Sequence, residues 1–212
     1  MQSTFRRAAL LVLALPTVAH AQLLVNTGAD QAAGRDLRWE ISTDAGASWA
    51  DAFVVQTPPP QWTGGAPGGV WLGATASGSF GGGSYRLREQ FVLGAGDALS
   101  FDLRCAFDNM VADLFINSVL VQFGGQSVCG PAFHGWGPMR SFSTASFVTG
   151  LNTIEFRWTG DNVTDGMAVQ TANLQYTPDA PPTVVPEPST WLLLATGLAG
   201  FAGRRRRVGS AA

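Results

Sequence analysis

Apolar and polar residues alternate with a period of two along several short stretches of the chain. In residues 98–107 one face of an extended backbone consists of Leu99, Phe101, Leu103, Cys105 and Phe107. The same alternation recurs at residues 37–41, 112–116 and 152–158. Because such a strand shows one face to a core and one to water, the pattern predicts antiparallel β-sheet.

Leu37 falls on the apolar face of its stretch together with Trp39 and Ile41, so all three are expected in the core. Turn signals that contain glycine separate the stretches, at residues 94–97, 124–125, 150, 159–162 and 165–166. Glycine- and proline-rich loops are expected at residues 57–69 and 130–138. Many short strands with frequent turns predict an all-β domain, built as a sandwich or a barrel.

The N-terminus has the parts of a secretory signal peptide. Arg6 and Arg7 precede an apolar stretch, and Ala19-His20-Ala21 gives the small-x-small pattern that signal peptidase cleaves. We therefore expect a signal peptide at residues 1–21 and signal peptidase as a partner. A transmembrane anchor is the alternative, but the stretch is short and contains Pro16.

The expected mature domain, residues 22–178, is acidic and exported. Residues 22–185 contain seven arginines and fourteen acidic residues, a formal charge of −7. Such a surface repels phosphate backbones, so we expect no nucleic-acid partner. Outside the cytoplasm, Cys105 and Cys129 are expected to form a disulfide, with two buried thiols as the alternative.

The C-terminal tail combines three features. A proline-rich linker at residues 179–185 leads into Pro186, Glu187 and Pro188, which favour extended backbone. Residues 191–203 are apolar and would form a helix about 20 Å long, shorter than the roughly 30 Å hydrocarbon core of a bilayer. An arginine cluster then ends the segment: Arg204, Arg205, Arg206 and Arg207.

This combination, at residues 186–207, resembles the PEP-CTERM sorting signal of exported bacterial proteins. The resemblance implies that exosortase, a membrane-embedded protease, recognises Pro186, Glu187 and Pro188 and cleaves nearby. The protein would then be anchored transiently in the inner membrane by a short transmembrane helix and released to the cell surface or extracellular matrix. A permanent tail anchor is the alternative.

Residues 42–49 (STDAGASW) resemble the Asp-box, S-x-D-x-G-x-S/T-W, a turn between two strands that recurs in sialidase propellers. The chain has one copy, and it is too short for a propeller with blades of roughly 40–45 residues. Asp44 and Trp49 are therefore interpreted as part of a hairpin.

Residues 85–176 resemble the galactose-binding-like jelly roll of bacterial surface proteins and carbohydrate-binding modules. The residues that match its pattern are Asp108, Asn109, Asn117 and Gly150-Leu151-Asn152. Ser118 stands where glycine is usual in that pattern. The resemblance implies an antiparallel β-sandwich of the jelly-roll type.

Catalytic and metal-binding patterns are weak in this sequence. His134 is the single histidine of the expected mature domain, and it is interpreted as an exposed bystander in a loop. Residues 125–129 lack the second glycine of a nucleophile elbow. No carboxylates cluster densely enough to predict calcium. We expect no catalytic residue, no metal and no cofactor.

Tryptophans in or beside the glycine-rich loops are the candidate ligand-binding residues. Trp62 and Trp136 are expected to expose aromatic faces that stack on sugars, whereas Trp71 is either a third such residue or part of the core. The predicted function is therefore non-enzymatic binding of carbohydrate, with exopolysaccharide as the expected partner. A structural matrix component without a ligand is the alternative, followed by a glycoside-active enzyme.

Overall fold

The computed structural model describes residues 24–62, 70–78, 81–108, 112–129, 135–161 and 163–179. In these residues the regular structure is almost entirely β-strand, with one 3-10 turn at Thr144–Ser146. None of the helical structure found there is long or apolar enough to cross a membrane. The predicted signal peptide, residues 1–21, and the predicted transmembrane helix, residues 191–203, lie outside the described part of the chain.

Twelve strands are present in the described ranges. In chain order they are β1 (Gln31–Ala32), β2 (Arg35–Ser42), β3 (Ala50–Val54), β4 (Leu72–Gly73), β5 (Ser84–Leu93), β6 (Ala98–Asp108), β7 (Asp113–Ile116), β8 (Val119–Phe123), β9 (Gln126–Ser127), β10 (Arg140–Ser143), β11 (Gly150–Thr159) and β12 (Gly166–Thr177). They pair antiparallel in the order β10-β6-β12-β4-β3-β2-β5-β11-β7-β8-β9, and β1 pairs with β2.

The sheet curls into a sandwich, so the predicted all-β antiparallel fold is confirmed. Phe91 of β5 and Phe101 of β6 lie in different halves of the strand order, yet both pack against Phe147, with ring centroids 5.4 and 5.8 Å apart. The inward side chains of both halves belong to one buried apolar cluster. Because the halves share this core, their outward faces point in opposite directions.

The prediction that Leu37 faces the core is wrong. Leu37 is 48% exposed, whereas Trp39 and Ile41 are buried. Asp36 takes the buried position, where its carboxylate accepts backbone hydrogen bonds from Gly28 (2.5 Å) and Trp39 (3.0 Å). The pairing of β2 with β3 shifts register in this part of β2, and such an irregularity changes which side chains point inward.

A fully buried carboxylate, Glu89, lies on the inward face of β5. It pairs with the guanidinium of Arg38 at 2.8 Å and accepts the Val25 N–H at 3.1 Å. Burial raises the pKa of Glu89 to about 8. Val25 also accepts a hydrogen bond from the Trp39 indole, and its neighbour Leu24 is buried, so the start of the described chain is tied into the fold.

Residues 42–49 form the turn between β2 and β3, as their resemblance to the Asp-box predicted. The Asp44 carboxylate accepts hydrogen bonds from the Ser48 hydroxyl (2.6 Å) and the Ser48 backbone N–H (2.9 Å). These bonds lower the pKa of Asp44. The Trp49 indole donates to the Gly46 carbonyl at 3.1 Å. The side chains of Asp44 and Trp49 thus form hydrogen bonds within the hairpin turn itself.

Asn117 and Ser118 join β7 to β8 with positive φ angles of 50° and 68°. A two-residue hairpin with both φ angles positive is a type I′ turn, so the turn forms although Ser118 replaces the usual glycine. Asn117 donates to the Asn152 side chain at 2.9 Å and accepts the Thr153 N–H. Two of the residues that matched the jelly-roll pattern, Asn117 and Asn152, are therefore in contact, whereas Asn109 lies outside the described residues.

Candidate functional site

A cluster of tryptophans covers the outward side of β6 and β12. Ala106 and Ala168 are cross-strand partners that point away from the main core, yet both are fully buried. They are buried because they pack with Trp62 and Trp71, with Trp136 against the edge of the cluster. The small alanine side chains leave a flat surface on which the large indole rings pack.

Trp62 is not the exposed ring that the loop composition predicted. It is only 2% exposed, and its ring centroid lies 4.2 Å from that of Trp71. Its indole N–H donates to the buried carboxylate of Asp108. A Cβ at Gly166 would lie 2.6 Å from the Trp62 ring, so glycine is required at that close approach. Tertiary packing buries this loop tryptophan against the outward side of the sheet, and Trp71 is buried beside it.

Trp136 differs from both, because it remains half-buried at the margin of the cluster. The Arg104 guanidinium lies 4.9 Å from its ring centre, and Arg104 donates to Gln170 at 2.6 Å. Within the described residues, the Trp136 indole N–H has no hydrogen-bond partner. A partly accessible ring thus lies beside a guanidinium and a carboxamide.

Asp102 lies beside Arg104 on the same outward side of β6, two residues earlier in the strand. Asp102 accepts hydrogen bonds from Ser141 of β10 (2.5 Å) and from Asn173 of β12 (2.7 Å), and these bonds lower its pKa. Asn173 lies in a β-bulge with a φ of 50°, which redirects its side chain toward Asp102. We call the outward surface formed by Trp136, Arg104, Gln170 and Asp102 the tryptophan face.

The disulfide positions this face. The predicted Cys105–Cys129 bond is confirmed, with the two Cα atoms 5.0 Å apart. Gly137, the residue after Trp136, donates its N–H to the Cys105 carbonyl at 2.9 Å. A Cβ at Gly137 would lie 2.1 Å from the Cys129 carbonyl oxygen, so the backbone fits closely against the disulfide. The bond therefore holds the segment that carries Trp136.

The electrostatics of the tryptophan face suit recognition more than proton transfer. A general acid needs a carboxyl group whose pKa is raised toward the working pH, whereas Asp102 has a lowered pKa and two donors that hold it ionised. No group of three or more His, Cys, Asp or Glu side chains that could hold a metal occurs among the described residues. His134 lies outside them.

Sequence reasoning identified Trp136 and the cysteines but missed the polar residues around the ring. The alternation of β6 already placed Asp102 and Arg104 on the water-facing side. Their partners Gln170 and Asn173 come from β12, more than sixty positions later in the chain. Only the β6–β12 register, and the bulge within it, brings these groups together.

The C-terminal tail is similar to a known family of sorting signals. Residues 184–207 match the PEP-CTERM protein-sorting motif, so the chain carries the sorting signal that its tail predicted. This motif marks an exported protein that is transiently anchored in the membrane and processed by exosortase. The residues expected to be recognised, Pro186, Glu187, Pro188, Arg204, Arg205, Arg206 and Arg207, lie within the matched segment and outside the described structure.

The curated proteins include no match to the chain. Among solved structures, the chain is similar to the carbohydrate-binding module TmCBM61, which was solved in complex with beta-1,4-galactotriose. The two sequences are 15% identical, the alignment covers 69% of this chain and 92% of that one, and the TM-score is 0.40.

Proposed function

We propose that this exported protein is a non-enzymatic glycan-binding protein of the cell surface or extracellular matrix, and that its ligand is exopolysaccharide. The binding surface is the tryptophan face. The observation that carries the proposal is the half-buried Trp136 ring, fixed against the disulfide and flanked by Arg104 and Gln170.

The chemistry of a sugar explains why this arrangement suits it. A pyranose ring has an apolar C–H surface that packs against an indole, and hydroxyl groups at its edge that both donate and accept hydrogen bonds. Arg104 supplies donors, Gln170 supplies a donor and an acceptor, and Asp102 supplies acceptors.

Rigidity supports the same proposal. The segment after Trp136 is fixed to Cys105 through Gly137, and the ring itself packs on the tryptophan cluster. A ring that is already ordered loses little conformational entropy when a ligand binds. An open, preorganised surface of this kind suits a polymer that passes along the sheet.

A purely structural role is the second candidate, and strand β8 favours it. Val119 and Leu120 on this strand are 67% and 44% exposed. Exposed apolar residues near a sheet edge are a typical surface for association with another chain. This candidate predicts self-association of the protein and no binding to sugar.

Binding of the exported protein to a glycan array, and to exopolysaccharide purified from the producing cells, tests the proposal. We expect Trp136→Ala to weaken binding at least tenfold, which is about 1.4 kcal/mol. Phe53→Ala is the matched control, because Arg35 covers the Phe53 ring at 3.7 Å in a different part of the sheet. Trp62→Phe should bind as wild type, since Trp62 is buried.

Three results would contradict the proposal. Equal binding by wild type and Trp136→Ala would place the ligand elsewhere. Self-association without any glycan binding would support the structural role. Release of reducing sugar during the incubation would indicate a glycoside-active enzyme.

A further inference from the structure

The opposite side of the sandwich carries an arginine face, defined by the outward side chains of Arg86 and Arg88 on β5 and Arg157 on β11. Arg86 and Arg157 are cross-strand partners. Both donate to the same oxygen, Oε1 of Glu155, with Arg86 at 3.4 Å. Each guanidinium has five N–H donors, so this shared acceptor occupies few of them.

A cavity of about 260 Å³ opens beside Arg86 and Arg157. Asp113 of β7 is the cross-strand partner of Arg157 and also lines the cavity. Within the described residues its carboxylate makes no hydrogen bond and no ion pair. Ser84 and Thr159 add two hydroxyl groups to the lining. Donors and acceptors with spare capacity therefore converge on one open space.

The strands beneath the cavity are held rigidly from the core side of the sheet. Tyr85 and Trp158 are cross-strand partners whose buried rings stack there with centroids 5.4 Å apart. The rings are covered by the strands and do not contact a ligand, but they fix the backbone between the outward side chains that line the cavity.

The charges favour a neutral sugar. Asp113 lines the cavity together with Arg86 and Arg157, and Glu155 beside it accepts from both arginines, so these four side chains have no formal net charge. A guanidinium only donates and a carboxylate only accepts, whereas a hydroxyl does both. Two adjacent hydroxyls of one sugar unit can therefore accept from Arg157 and donate to Asp113. An acidic sugar would add a negative charge to these balanced groups, in a domain that is already negative.

We infer that this cavity is a second glycan-binding site, for a neutral sugar unit with two adjacent hydroxyl groups. The tryptophan face and the arginine face point in opposite directions, since both halves of the sandwich turn their inward sides to one core. The domain is then bivalent and cross-links polysaccharide strands. This inference rests on the proposed function, because it needs the tryptophan face as the first site.

Cross-linking of the purified exopolysaccharide by the exported protein, measured by light scattering, tests the inference. Asp113→Ala removes an unpartnered, partly exposed side chain, so the fold should be unaffected. We expect this variant to bind immobilised exopolysaccharide through Trp136 but to cross-link at least tenfold less. Asp51→Ala is the matched control, because Asp51 lies on the same side of the sheet, on β3, outside the cavity. Trp136→Ala should also lose cross-linking.

The outcomes separate the two proposals. If Asp113→Ala cross-links as well as wild type while Trp136→Ala loses binding, the second site is wrong and the proposed function stands. If wild type binds no exopolysaccharide, the proposed function itself is wrong. If the double variant Asp113→Ala/Trp136→Ala loses all binding and each single variant keeps a part, both are supported.

Discussion

The two outward faces of the sandwich arise from the same strand alternation but are organised differently. On the arginine face, contacts join neighbours in the sheet, such as Arg88 with Glu40 at 2.7 Å and Arg86 with Glu155. On the opposite side, Trp62 and Trp136 come from loops and cover outward positions of β6 and β12, and only Trp136 stays partly accessible there. Alternation thus decides which side chains point outward, and loops decide which of them stay accessible.

The largest expected effect concerns the disulfide, which lies in the core beneath the tryptophan face and holds the segment that carries Trp136. Cys105→Ala/Cys129→Ala should lower the free energy of unfolding by about 2–5 kcal/mol, because the reduced unfolded chain gains loop entropy. Chemical denaturation followed by tryptophan fluorescence measures this loss. Glycan binding through Trp136 should weaken as well, while the arginine-face cavity keeps its ligand. An unchanged denaturation midpoint would show that the bond does not hold this face.

Two substitutions, one on each side of the sandwich, compare a buried indole hydrogen bond with a partly exposed one. Trp62→Phe keeps an aromatic ring but removes the donor to buried Asp108, so it should cost about 1–3 kcal/mol of stability. Trp49→Phe removes a donor in the half-exposed Asp-box turn and should cost about 1 kcal/mol or less. Urea denaturation measures both variants. Equal losses would mean that burial does not distinguish the two bonds.

The buried carboxyl group of Glu89 makes the free energy of unfolding depend on pH. The pKa of Glu89 in the fold is about 8, above its ordinary value of 4.5, so the folded protein binds this proton more tightly than the unfolded chain does. Its stabilising contribution is therefore complete below pH 4.5 and is lost as the pH rises to about 8. One proton gives a slope of at most about 1.4 kcal/mol per pH unit.

Glu89→Gln should remove this part of the pH dependence, because an amide does not titrate. The measurement is the free energy of unfolding between pH 5 and pH 8, compared with wild type. Asp36 and Arg38 face Glu89 and remain in both proteins, so their own contributions cancel in the difference. Parallel curves for the two proteins would contradict a raised pKa.

The smallest effect lies in the turn between β7 and β8. Ser118→Gly should stabilise the protein by about 0.5 kcal/mol, since relief of roughly 1 kcal/mol of left-handed strain is partly offset by the greater freedom of unfolded glycine. Ser146→Gly, in the 3-10 turn, has no positive φ to relieve and should destabilise. Thermal unfolding compares the two. Destabilisation by Ser118→Gly would show that the serine side chain, and not backbone strain, dominates.

Much of the fold could be predicted because its determinants are local. The alternation in β6 and β11, the Asp-box turn and the cysteine pair each depend on a short stretch or on a single pairing. The exposure of Leu37 could not be predicted, because Asp36 is held inward by Gly28 and the irregular part of β2. Local pattern gives no information on that contact.

The candidate site could be predicted only in part. Trp62 and Trp136 occur in similar glycine-rich loops, and nothing in their local sequence separates them. Trp62 is buried because its indole N–H donates to Asp108 and its ring packs against Gly166. Both of these residues are distant from Trp62 in the chain. The partners of Trp136 likewise come from the register of two long strands. Non-local packing therefore decides which tryptophan is accessible.

The most direct test of glycan binding at the tryptophan face is a titration followed on the indole N–H signals by NMR. Oligosaccharides prepared from the purified exopolysaccharide would be added to the exported protein. We predict that the Trp136 signal shifts in a saturable manner, while the buried Trp62 signal stays in place. Saturable binding that leaves the Trp136 signal unchanged would contradict the account.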